Sequence, residues 1–88
     1  MQDNHQHTAT ARRCWVDGDR ICFELFDERI VSFPANKFPL LAAASPAQLA
    51  EVSLRVQGRA LRWESLDEDI LIEDVLSGRF PRDRQKVA

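Results

Sequence analysis

The chain has 88 residues, with 12 Lys and Arg against 14 Asp and Glu and a formal net charge of −2; that length leaves room for one compact core and no second domain, and a core burying only roughly 60 % of the unfolded surface is marginal by itself. Two cysteines, Cys14 and Cys22, with no CxxC pair, exclude a disulfide-stapled secreted scaffold and argue against a zinc or thiol-redox centre. No segment approaches the roughly 20 apolar residues of a membrane span, and the polar start from Met1 to Ala11 has no signal-peptide core, so a cytoplasmic protein with reduced thiols and no membrane partner is expected.

Residues 1–10, including His5 and His7, are polar without periodicity, the composition of a flexible N-terminus. Arg12 to Val16 reads as a strand and Asp17-Gly18-Asp19 as a tight turn. Arg20 to Phe26 follows as a second strand, with Ile21, Phe23 and Leu25 on one face and Cys22, Glu24 and Phe26 on the other. Asp27-Glu28 reverses the chain again and Arg29 to Phe33 returns, which predicts a three-stranded antiparallel meander. Pro34 lacks the amide a ladder needs and Pro39 restrains Phe38, so the segment between the two prolines is a loop or turn. A short helical turn is expected next through Leu40, Leu41 and the alanines.

Ser45-Pro46-Ala47-Gln48 combines a capping serine, a proline suited to the first helical position and a glutamine able to close a capping box, which predicts a helix through about Leu54. Gly58 breaks the helical pattern, and Ala60 to Trp63 reads as a fourth strand that brings a large aromatic to the core. Asp67-Glu68-Asp69 precedes Ile70, Leu71, Ile72, Val75 and Leu76 with the charge pattern of a helix start, and Gly78 suits its stop; an extended entry at Ile70 to Ile72 is the alternative. The expected fold is α+β: a three- to four-stranded antiparallel β-meander followed by short helices over residues 11–78, with 79–88 a flexible basic tail. Its core is expected to unite Ile21, Phe23 and Leu25 with Trp63.

Few residues invite chemistry. The carboxylates Glu64, Asp67, Glu68 and Asp69 have the oxygen donors for Mg²⁺ or Ca²⁺, or for paired acid and base work. Their spacing matches no EF-hand loop, and a helix start or hydrogen bonds pinning the loop after Trp63 account for them. His5 and His7, with Cys14 as a distant third donor, lie in a segment expected to lack the fixed surroundings a metal needs. A three-residue first turn would set Cys14 and Cys22 directly across from each other, where thiols in a cytosolic sheet pack as small apolar groups. GxSxG, HExxH and phosphate-cradling glycine motifs are absent, and the folded region holds no histidine base. No catalytic residue, metal or cofactor is therefore expected, and the protein is read as a non-enzyme.

Trp15 sits on the first strand with no evident helix to cover it, and an open edge carrying an aromatic invites pairing with a partner or a second copy. Partner binding is thus assigned to Trp15, Glu64, Asp67, Glu68 and Asp69. Acidic residues crowd 64–74 while Arg79, Arg82, Arg84 and Lys86 crowd the tail. The molecule is dipolar and not basic, so direct nucleic-acid binding is not expected without a partner.

Phe33-Pro34, Phe38-Pro39-Leu40-Leu41, Ala44 to Gln48, Arg62-Trp63-Glu64, Leu66 to Ile70 and Val75-Leu76-Ser77-Gly78 together resemble the bacterial domain of unknown function 2442 family. The match runs from about Ile21 to Gly78, and the tryptophan followed by Leu-Asp-Glu-Asp-Ile is its most specific element. Where the family carries Asp-Gly at the second hairpin, this chain has Asp27-Glu28. Members look like short β-meanders followed by helices, and many are encoded beside toxin-like genes or fused to helix-turn-helix domains. The resemblance therefore implies an antitoxin or regulatory component that covers a toxin surface. With ten residues after Gly78 no helix-turn-helix is expected here, so any regulation of transcription would go through a partner or an oligomer. The competing readings are a stand-alone, phage-type inhibitor of a nucleoprotein machine whose acidic patch mimics nucleic acid, and an enzyme using the carboxylates from Asp67 to Asp69.

Overall fold

The computed structural model describes residues 10–81. Alternation in the first half forms strands β1 (Ala11–Asp17), β2 (Arg20–Leu25) and β3 (Ile30–Pro34), antiparallel in the order β1-β2-β3. Ile21, Phe23 and Leu25 face the core and are at most 1 % exposed. Val16, Cys14 and Ala11 stand opposite them on β1, and Phe33 and Val31 oppose Ile21 and Phe23 on β3.

Asp17 pairs with Arg20, so the first turn holds two residues, Gly18-Asp19, and not three. Gly18 takes φ +63°, the positive first angle of a II′ hairpin turn. This shorter turn shifts the expected register. Cys14 opposes Phe23 and Cys22 opposes Trp15, so the two thiols point to opposite faces of the sheet, as a one-residue offset requires. In the second hairpin the Leu25 amide donates to the Arg29 carbonyl and the Glu28 amide to the Leu25 carbonyl, both at 2.9 Å. Glu28 carries the left-handed angle, φ +78°.

After Pro34 the chain makes a 3₁₀ turn over Ala35–Lys37, then helices α1 (Pro39–Ala42) and α2 (Pro46–Leu49). The capping box forms as read: Ser45 Oγ accepts from the Gln48 amide at 3.1 Å, and Gln48 Oε1 accepts from the Ser45 amide at 2.9 Å. The expected continuation to Leu54 does not. Ser53–Arg55 is strand β4, because Leu54 is needed opposite Leu61 in a second ladder. Local helix preference yields to that pairing.

β4, β5 (Ala60–Trp63) and β6 (Glu68–Leu71) form a second antiparallel sheet in the order β4-β5-β6. Val56, Gln57 and Gly58 all have positive φ in the turn between β4 and β5. There Gly58 accepts from the Ala11 amide at 2.7 Å, which ties the second sheet to the start of β1. The acidic run does not start a helix. Glu64–Leu66 is a 3₁₀ turn, Asp67 is left-handed, and Glu68–Leu71 is strand. Helix α3 (Ile72–Leu76) follows, with Glu73 and Asp74 in its first turn.

The fold is α+β, built from β-meanders and short helices. Both sheets contribute to one core, in which Trp63, Leu61 and Ile72 are fully buried beside Ile21 and Phe23. The core extends past the expected boundary at residue 78. Phe80, read from sequence as tail, packs against Phe38 with ring centres 5.6 Å apart and against Phe33 at 6.0 Å.

Candidate interaction site

The outer face of the first sheet is built by strand parity. Across its three strands lie the rows Asp17, Arg20 and Pro34; Trp15, Cys22 and Ser32; and Arg13, Glu24 and Ile30. Phe26 continues this face beyond β2. The register slips between Ala11 and Arg13, so Arg12 is the extra residue of a β-bulge and two arginines stand against one glutamate. Arg12 donates to Glu24 Oε2 through Nε at 3.1 Å and again through Nη2, and Arg13 Nε donates to Oε1.

Glu24 is 6 % exposed and is compensated by both guanidinium groups. The hydrogen bonds from Arg12 and then Arg13 hold its carboxyl below the usual carboxylate range. In turn, Glu24 fixes the Arg13 guanidinium 4.4 Å from the centre of the Trp15 ring, within cation–π range. Arg20 Nε donates to Ser32 Oγ at 3.1 Å. At the far end of the face Ile30 is 59 % and Phe26 62 % exposed. The face therefore presents a braced Arg–Trp pair beside two uncovered apolar side chains. Trp15 is half-buried on this face. The bulge that doubles the arginines leaves no mark in the sequence pattern, because it is set by where Ala11 meets Gly58.

The acidic residues divide between two places. Arg62 faces Asp69 across the β5–β6 ladder, and its guanidinium donates to Glu64 at 3.0 Å, Asp67 at 2.9 Å and Asp69 at 2.8 Å. These bonds raise the Arg62 pKa further and hold the Glu64 carboxyl low. Three of the four carboxylates are thus spent on one internal cation, which weakens a nucleic-acid-mimicking patch. No group of three or more metal-ligating side chains occurs among the described residues. Glu68 is set apart, on the opposite face of β6 beside Trp63.

Both cysteines are free, and burial pushes each thiol up. His5 and His7 lie outside the described residues. Among those residues no helix is long and apolar enough to cross a membrane.

The model of the family described as "Protein of unknown function (DUF2442)" matches residues 11–81. A protein of unknown function from Rhodospirillum rubrum is 29 % identical, with a TM-score of 0.78 over 84 % of this chain and 92 % of that one. An uncharacterised protein from Chromobacterium violaceum, solved by solution NMR, has the same fold at 24 % identity, with a TM-score of 0.76 over 94 % of this chain and 78 % of that one. No curated protein matches the chain.

Proposed function

We propose that this chain, which belongs to the DUF2442 family of proteins of unknown function, is a non-enzymatic protein-interaction module that receives its partner on the outer face of the first meander. The observation behind this reading is the open sheet face on which Glu24 holds Arg12 and Arg13, Arg13 stacks on Trp15, and Phe26 and Ile30 stand exposed. Tryptophan and arginine are the residues that most often dominate binding energy at protein interfaces. Arginines braced before contact lose less freedom on binding. In its most specific form the module is the cytoplasmic antitoxin or regulatory component of a toxin–antitoxin pair, with the toxin as partner.

The test is co-purification from the native cell with the parent, Trp15→Ser combined with Ile30→Ser, and Glu64→Gln as a distant control. The partner should be retained by the parent and the control and lost by the double variant. Equal retention by all three would sink the assignment to this face. A light-scattering mass that rises with concentration in the parent, and not in the double variant, would identify the partner as a second copy.

A further inference from the structure

We propose that the free edge of β6, with the cleft beside it, docks an extended basic segment of a partner protein whose cationic side chain pairs with Glu68. Among the described residues β6 is the last strand in the order β4-β5-β6, so one row of its backbone groups faces away from the ladder, the arrangement that accepts an added strand. A cleft of about 500 Å³ lies along it, bounded by Glu68, Leu71, Asp74, Phe38 and Phe80. Ile70, Pro81 and the charged Asp69 and Arg79 complete its lining, and Leu71 is 49 % exposed there.

Charge selects the occupant. Asp69 is engaged by Arg62 at 2.8 Å and Asp74 by Arg79 at 3.0 Å. Glu68 is half-buried on the core-facing side of the strand, and none of the hydrogen bonds or ion pairs among the described residues reaches its carboxylate. Burial first, and then the charges of Asp69 and Asp67, raise its pKa. An arriving Lys or Arg removes that penalty, while neighbouring apolar side chains cover Leu71 and Phe80. An acidic segment would add a like charge to the same cleft. This surface is on the other sheet from Trp15 and does not depend on the outer-face reading.

The experiment titrates the full-length chain, at physiological ionic strength where loose surface attraction is screened, with a capped hexapeptide of alternating arginine and leucine, followed by amide NMR. Shifts should move along Glu68 to Leu71 and at Phe80. Affinity should fall about tenfold or more in Glu68→Gln and stay unchanged in Glu64→Gln and Trp15→Ser. The matching peptide of glutamate and leucine should not bind. Unmoved β6 amides, or equal affinity for Glu68→Gln and the parent, would overturn the site. The chain's own Arg82, Arg84 and Lys86 follow Pro81, which borders the cleft. If replacing these three by glutamine moves the β6 amides without peptide, the occupant is this tail and the partner assignment fails.

Discussion

The indole N–H of Trp63 donates to the backbone carbonyl of Leu49 at 3.1 Å, 14 residues away in sequence. The bond joins the last residue of α2 to β5, on a carbonyl that also accepts from the Val52 amide at 3.3 Å. It also places the fully buried indole among both sheets. Trp63→Ala should cost about 3–5 kcal/mol, enough to unfold a domain of this size. Trp63→Phe removes the indole donor and part of the buried ring, while the Leu49 carbonyl keeps the Val52 amide at 3.3 Å, so it should cost about 1–3 kcal/mol. Denaturant melts of the two variants check both figures; a Trp63→Ala protein that melts with the parent would place Trp63 outside the core.

Gly58 joins the two sheets. It sits at φ +86°, and a Cβ there would lie 2.3 Å from the Ala11 carbonyl oxygen, which is backbone and has little room to move. Gly58→Ala should therefore lose about 2–4 kcal/mol from left-handed strain and overpacking together. The distinctive readout is amide exchange, which should speed up at Ala11 beyond what global stability explains.

At the second hairpin the strain already exists. Glu28 holds φ +78° at the position where the resembled family's Asp-Gly would place glycine. Glu28→Gly should stabilise the chain by about 0.5–1 kcal/mol, the left-handed penalty less the greater unfolded-state entropy of glycine. A lower melting temperature would show that the Glu28 side chain contributes more than its backbone costs.

Arg62 gathers Glu64, Asp67 and Asp69, and its pull lowers the Glu64 pKa. A lowered carboxyl pKa gives stability that is present above the unfolded value of about 4.3 and is lost as pH falls through the folded value. Arg62→Met should melt below the parent at neutral pH, and the gap should close in acid. Millimolar Mg²⁺ or Ca²⁺ should leave the parent's melting temperature nearly unchanged, since the carboxylates already have a cation. A rise of several degrees that Asp67→Asn abolishes would contradict this.

Glu68 behaves with the opposite sign. Its pKa is raised, so its charge destabilises the fold above the folded value, and the penalty disappears below the unfolded value near 4.3. Glu68→Gln should melt above the parent at neutral pH and together with it below about pH 4. Coincident melting at pH 7 would mean that a partner for Glu68 already exists within the chain.

The features readable in the sequence depend on neighbours a few residues apart. Period-two apolar residues at Ile21, Phe23 and Leu25 and the turn at Gly18 specify the first meander. Ser45 and Gln48 specify a helix start, and Trp63 has too much apolar surface to leave outside. The carboxylates from Glu64 to Asp69 and the aromatic Trp15 on the first strand are visible as unusual groups, but not as neighbours of particular cations. What only the tertiary structure decided rests on contacts between distant segments. Leu54 leaves the helix because Leu61 needs a ladder partner, and Phe80 joins the core because Phe33 and Phe38 meet behind β3. Arg12 turns to Glu24 because Ala11 is drawn inward toward Gly58. Asp67 and Asp69 surround Arg62 because β6 folds back on β5. Each outcome is fixed by which strand lies beside which, and a propensity summed along the chain carries no information about that pairing.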